Sequence, residues 1–355
     1  MLRTLVFLEW VVMFWGCRSH QPDTQNGPPP VHVLISSTGT VELRKLDWTH
    51  YATVSFPAQV MSDDLLKIAR GTVARIVCSD LTIQMLSTRP PGPVPCPSRG
   101  ELVDRSPYLL LRNATPPTCP VQLSPRTGQL VTSRPDVRWS AIPETSNYRV
   151  ELAGDTIHWI RDVHLPSGAQ EGRLAYPPDV QALTPGTTVT ITISGAGRSS
   201  NECASQKPGI RVLSSSEQAS LHSAENRLER LGLSAIDLGY MRANLWLSHE
   251  LYAESIDLLD RLSQSSDASV AVLRLLGDAY CNAELTDHAI QAYKGGIRRA
   301  GSEIDIETEA ALNAAIANLT GDPQERKERA TRAIELYRRL GDDKRADDLA
   351  HLIKA

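Results

Sequence analysis

The chain has 355 residues and a formal net charge of −4, with 22% charged and 41% hydrophobic residues. That balance excludes wholesale disorder, and the mild acidity gives no general electrostatic pull towards nucleic acid. No apolar run of about 18 residues follows the first twenty positions, which excludes a polytopic helical membrane protein, and the length fits two or three domains.

The N-terminus reads as an export signal. Arg3 supplies a positive start, and Leu5 to Trp15 is apolar apart from Glu9, the length of a signal core and too short to span a bilayer. Phe14-Trp15-Gly16-Cys17 then resembles a bacterial lipobox, in which a small residue precedes the cysteine that is lipidated. Gly16 and Cys17 match that pattern, and Phe14 and Trp15 are bulkier than it. The resemblance implies lipidation at Cys17, with simple cleavage or a plain amphipathic start as alternatives. Residues 1–17 are therefore taken as the signal and 18–30 as a polar linker ending Gly27-Pro28-Pro29-Pro30. The expected setting is the periplasm or cell envelope, with the membrane reached through the lipid anchor only.

Composition breaks near residue 214. Of 23 prolines only Pro323 follows Pro208, so strands and turns are expected before the break and helices after it. Residues 31–100 show short alternating runs, Val31 to Ile35, Gly39 to Leu43 and Thr72 to Cys78, suited to half-buried strands. Their order, with Gly39, Trp48, Asp63-Asp64-Leu65-Leu66, Gly71 and Cys78-Ser79-Asp80, resembles a FecR-type domain, a small β module of bacterial envelope proteins. Any other small β barrel or sandwich fits the same spacing.

The prolines between residues 90 and 120 read as an irregular connection, with 101–120 as the joint between domains. Residues 121–213 then carry strand-like segments about ten residues apart, including Asp136 to Trp139, Tyr148 to Leu152 and Thr187 to Ile193, which predicts a β-sandwich. Trp139 in an early strand, Tyr148 opening the next and Leu183-Thr184-Pro185-Gly186 before a late one are similar to a fibronectin-type-III module.

Residues 214–355 carry the most specific pattern. Shifted by 34, residues 236–269 align with 270–303, placing Trp246 on Tyr280, Leu251 on Leu285, Ser255 on Ala289 and Ile256 on Ile290. Leu276-Gly277, Tyr280, Ala289 and Tyr293 match the tetratricopeptide (TPR) repeat, in which small residues let paired helices approach and aromatics fill the groove beside them. A third unit spans about Glu307 to Leu340, with Ala330, Ala333, Ile334 and Tyr337 at helical spacing and a period longer by about two turns. Ser214 to Glu217 forms a capping-box start, and Asp342 onward a polar closing helix. The fold class is thus multidomain, an all-β N-terminal part (a small β domain plus a sandwich) followed by an all-α TPR-like helical domain.

Chemistry-bearing motifs are absent from the pattern. There is no HxH, HxxxH, CxxC, GxxxxGK[ST] or GxSxG stretch, so no catalytic residue, metal or cofactor is expected. His158 and His164 lie near Asp155 and Asp162 and read as exposed turn residues, and Asp63-Asp64 reads as a turn pair. Export favours a disulfide, and the loop from Cys78 to Cys96 can return to the end of its strand. Cys119 with Cys203 is a weaker second pair, and Cys281, after Tyr280 in a packed helix, is expected to stay a thiol.

The functional reading is a non-enzymatic envelope scaffold that binds an unidentified protein or peptide through its TPR groove. Ala271, Arg274, Asp278 and Asn282 form one stripe, and Asp237, Tyr240, Asn244 and Ser248 its counterpart one repeat earlier. Asn244, Arg274 and Asn282 are the expected partner contacts, against the plainer reading of a solvated helix face. A glycan-binding or enzymatic site in the β domains, or a role in envelope signalling, stands as the alternative.

Overall fold

The computed structural model describes residues 28–105, 118–202, 209–301 and 304–354. Cys17, the signal and residues 18–27 of the linker lie outside the described residues, as does Cys203, while the end of the linker is in place, with Pro30 bridged to Val103. The first β domain is two antiparallel four-stranded sheets. One contains β1 (His32–Ser37), β4 (Ala58–Val60), β6 (Ala74–Val77) and β7 (Ile83–Leu86) in the order β4-β1-β6-β7. The other contains β2 (Val41–Arg44), β3 (Ala52–Thr53), β5 (Leu65–Ile68) and β8 (Arg89–Pro93) in the order β3-β2-β5-β8. Leu34, Leu43, Leu66 and Ile76 fill the space between them.

Two features differ from the sequence expectation. Residues 90–93 are an edge strand, pairing Leu65 with Pro93 and Leu66 with Gly92, because prolines are tolerated where one edge of a strand has no neighbour to donate to. Strand β1 is buried on both faces. Leu34 points into the β domain, while Val33 and Ile35 join a cluster with Leu221, Leu228, Tyr240 and Leu247 of the helical part. A near-continuous apolar run is what two covered faces require.

The second β domain packs a three-stranded sheet on a larger one. The first sheet has the order β14 (Glu171–Leu174), β11 (Val137–Ser140), β9 (Val121–Ser124). The second runs β10 (Gly128–Leu130), β17 (Gly209–Val212), β15 (Thr188–Gly195), β12 (Asn147–Gly154), β13 (His158–His164), with β16 (Arg198–Ser199) on β15. Alternation along β12 buries Tyr148, Val150 and Leu152 against Trp139, whose ring centroid lies 5.6 Å from that of Tyr148. Gly172 sits opposite Trp139 in the ladder, and a Cβ there would overlap the indole.

Eight α-helices follow among the described residues: α1 (Ser215–Glu229), α2 (Ala235–Ser248), α3 (Tyr252–Ser263), α4 (Val270–Asn282), α5 (Thr286–Ala300), α6 (Ile306–Leu319), α7 (Pro323–Leu340) and α8 (Asp343–Leu352). Ser214 and Glu217 cap α1 reciprocally, Asp305 and Asp322 cap α6 and α7, and Gly341 ends α7 in the left-handed region at φ 73°. Helices α2/α3, α4/α5 and α6/α7 form antiparallel pairs, giving an all-α, TPR-like repeat after the all-β part. The 34-residue shift carries the start of α3 onto the start of α5, and the turns before them share an unusual geometry. Glu250 (φ 58°) precedes Leu251, and Glu284 (φ 60°) precedes Leu285. At Gly277 the Tyr293 ring leaves no room for a Cβ, so the close α4/α5 approach depends on that glycine. The third pair runs longer because α7 has 18 residues against 15 in α5.

The two β domains dock on different helix faces. The first lies on the inner face formed by α2, α4 and α6, with Trp48 inserted among Ala333, Tyr337 and Leu340 at the far end. The second meets α3, where the Gln129 amide donates to the Glu250 carbonyl and the Val131 amide to Glu254.

Candidate functional site

Of the stripe residues of the first helices, Asn244, Ser248 and Asn282 bond to residues between 59 and 105, Tyr240, Ala271, Arg274 and Asp278 line a cleft shared with that segment, and Asp237 bonds to Ser234. Asn244 on α2 is 5% exposed; its Oδ1 accepts from Gln59 Nε2 at 2.7 Å while its Nδ2 donates to the Tyr240 carbonyl at 2.9 Å. Asn282, at the end of α4, donates to the Arg105 carbonyl at 2.8 Å. Ser248 accepts the Val103 amide at 3.0 Å, and Arg105 pairs with Glu250 at 3.2 Å. Arg274 on α4 donates to Glu307 at 2.8 Å, and Lys45 from the first β domain reaches the same carboxylate at 2.7 Å. Of the three residues expected to take a partner, Asn244 thus bonds the chain's own first β domain directly, Arg274 shares Glu307 with that domain's Lys45, and Asn282 bonds the segment that follows it.

Between that domain and the helices lies a cleft of about 900 Å³. Its helical wall includes Tyr240, Arg274, Asp278 and Glu307, and its β wall includes Lys45, Met61 and Asp64. Burial works to raise the pKa of Glu307, but the Arg274 and Lys45 charges outweigh it and hold the carboxyl well below the usual carboxylate range. Asp278 goes the other way. Burial pushes its pKa up to about 6, against the opposing pull of Arg274 and of the Tyr293 hydroxyl, which donates to it at 2.7 Å. Asp64 is 3% exposed, and burial raises its pKa although the Met61 amide donates to it at 2.8 Å. The Asp63-Asp64 turn therefore also lines the cleft.

Trp48 closes the far end. Its Nε1 donates to the buried Asp342 carboxylate at 3.2 Å, the His50 amide donates to the Leu340 carbonyl at 3.2 Å, and Thr49 packs over Gly341. Sequence reasoning missed Gln59, Lys45 and Glu307, the groups that meet the stripe, and Trp48, which meets α7. Two signals in the sequence pointed to Trp48 and to a covered strand, and none to Gln59, Lys45 or Glu307. Trp48 is a large aromatic in a polar turn, and Val31 to Ile35 is apolar on both strand faces.

Cys78 and Cys96 are joined in a disulfide that ties the end of β6 to the segment after β8. Cys119 is also disulfide-bonded, and Cys281 is a buried thiol in α4. On the sandwich, His158 is paired with Glu151, His164 with Asn147 and Arg149 with Asp162, each across neighbouring strands on the solvent face.

No protein-family model matches the chain, and no curated protein matches it. Among solved structures it is similar to the MamA RS-1 ArsTM double mutant, at 19% identity and a TM-score of 0.28 over 35% of this chain and 70% of that one. It is also similar to MamA 41-end from Desulfovibrio magneticus RS-1, at 18% identity and a TM-score of 0.25 over 38% and 71%. Likenesses this distant carry no functional argument.

Proposed function

We propose that this chain is a non-enzymatic, envelope-tethered scaffold that binds a protein or peptide segment in the cleft between its first β domain and the inner face of its TPR-like helices. The cleft itself carries the reading. Its volume of about 900 Å³ lies at the upper end of the ~300–1,000 Å³ typical of ligand pockets, and it mixes apolar walls with a few aimed polar groups. The first β domain is read as FecR-like and the second as fibronectin-type-III-like. The second reading draws support from its strand order, a three-stranded sheet packed on a sheet whose strands follow β13-β12-β15-β17. Gly16-Cys17 after an apolar stretch supports a lipid anchor, and the Cys78–Cys96 bridge suits an oxidising compartment. Among the described residues no helix is long and apolar enough to cross a membrane.

Photocrosslinking separates this reading from a site on the β-sandwich. A photoreactive residue at Ala314, on the cleft wall, is expected to give a discrete adduct with a polypeptide in envelope fractions, and the same residue at the exposed Ile160 none. Adducts from Ile160 alone would move recognition to the sandwich. A palmitate analogue is expected to label the wild type and not Cys17→Ser; equal labelling would remove the anchor.

A further inference from the structure

We propose that the cleft takes an extended polypeptide segment in which lysine or arginine alternates with bulky apolar residues. This rests on the reading of the cleft as the binding site and names the chemistry it selects. One wall is apolar and built from small side chains. Ala311, Ala314 and Ala315 follow one another on α6 at helical spacing, and Ala271 continues the surface onto α4. Leu46 stands at the mouth, 75% exposed. Small residues beside open volume leave space for large side chains brought by a ligand.

The other lining is acidic. Eight Asp or Glu side chains border the cleft against three Lys or Arg, and two of those three, Lys45 and Arg274, share the single carboxylate of Glu307. Asp278 and Asp64 form no ion pair among the described residues, and both lie within electrostatic reach of Glu307. Burial raises the pKa of each, the signature of a carboxylate enclosed without a full counter-charge. A ligand cation supplies that charge, whereas an anionic ligand meets eight carboxylates against Lys45, Arg274 and Arg345. Among the described residues no group of three His, Cys, Asp or Glu is placed to hold a metal ion. The fitting cation is one on an alkyl stem, which lays its methylenes along the alanine wall and its charge at the carboxylates. An extended backbone sends alternate side chains to opposite faces, so alternation of basic and apolar residues presents one kind to each wall.

The test is fluorescence anisotropy on the full chain with a labelled decapeptide alternating leucine and lysine. Comparison probes alternate leucine with glutamate and lysine with serine, and spermine supplies charge without a backbone. The leucine–lysine peptide is expected to bind at least tenfold more tightly than either comparison peptide and to resist displacement by spermine. Asp64→Asn with Asp278→Asn is expected to weaken it about tenfold. Asp63→Asn with Asp348→Asn changes exposed rim residues without touching the core, and is expected to weaken it about threefold. Ala314→Trp, which fills the cleft, is expected to abolish binding. Equal binding of the leucine–glutamate peptide, lost in Ala314→Trp, would overturn the cationic chemistry and leave the cleft as the site. Binding of any probe unchanged by Ala314→Trp would overturn the cleft reading itself, and displacement by spermine at equal charge would overturn the peptide.

Discussion

The two β domains are built on the same principle of sheet against sheet, yet they relate to the helices in opposite ways. The sandwich keeps its own core: Trp139, Tyr148, Leu152, Ile191 and Ile210 pack together, and the helical residue touching that cluster is Ala253. The first domain also has a core, built around Leu34, Leu43, Leu66 and Ile76, but it sends further side chains into two clusters of the helical part. Val31, Val33 and Ile35 belong to the same buried cluster as α1 to α4, and Trp48 to that of α6 to α8. Each domain keeps a core of its own; the sandwich reaches the helical cluster through Leu123 of β9, whereas the first domain shares β1 with one helical cluster and Trp48 with another. The difference shows that the inner face of the repeat is a composite surface whose shape is set by two domains together.

The largest expected effect breaks that comparison at the level of folding. Residues 118–213 alone are expected to unfold cooperatively near the temperature of that domain in the full chain. Residues 209–355 without the first β domain are expected to lose cooperativity and bind hydrophobic dyes, because the apolar faces that β1 and Trp48 cover become exposed. A helical fragment that melts like the full chain would contradict the shared core.

Next comes Trp48→Ala, expected to cost about 3–5 kcal/mol from the cavity alone, with a further loss because Asp342 is left buried without its indole donor. Trp139→Ala is expected to cost about the same, but hydrogen exchange should rise only in the sandwich, whereas Trp48→Ala should raise it across α6 to α8. Removal of the Cys78–Cys96 bridge, which closes an 18-residue separation, is expected to cost about 3 kcal/mol, read by denaturant titration of Cys78→Ser/Cys96→Ser.

The smallest effect has the opposite sign. With its pKa at about 6, above the usual 3.8, Asp278 takes up more protons folded than unfolded, so its contribution to stability falls as pH rises from about 4 through 6. Asp278→Asn is expected to stabilise the protein by up to about 3 kcal/mol above pH 6 and to change little below pH 4, since the asparagine still accepts the Tyr293 hydroxyl. Glu217 supplies the contrast. Bonds to Arg211 and Ser214 lower its pKa to about 2, so its stabilising contribution is present above about 4.5 and is lost as pH falls through 2. Thermal melts of Asp278→Asn and Glu217→Gln between pH 3 and 8 should therefore diverge in sign at neutral pH.

The all-β to all-α order was legible because only Pro323, at the start of a helix, follows Pro208, and one residue type excluded from helix interiors marks the change by itself. The helical repeat was legible in Gly277, Tyr280, Ala289 and Tyr293, because close helix packing needs small and aromatic residues at fixed offsets. The docking of the first β domain was not. Contacts such as Gln59 with Asn244 or Lys45 with Glu307 join residues 185 and 262 positions apart and leave no period in the sequence. The helix-face stripe could be drawn from helical spacing, but what covers it is a property of two surfaces, and spacing describes one. Likewise Glu307 reads as an ordinary acidic residue in the first turn of a helix until Arg274 and Lys45 are seen on either side of it.

That pair of ion pairs also offers the most direct measurement of the central claim, that the first β domain docks on the inner face of the helical repeat. Zero-length carbodiimide coupling of the purified full chain joins an amine to a carboxylate only where the two already touch, and Lys45 Nζ lies 2.7 Å from Glu307 Oε1. Tryptic mapping is expected to find a Lys45–Glu307 isopeptide as the dominant long-range crosslink, lost in Glu307→Gln while other crosslinks persist. Coupling of Lys45 to carboxylates of its own domain, with none to Glu307, would contradict the docked arrangement.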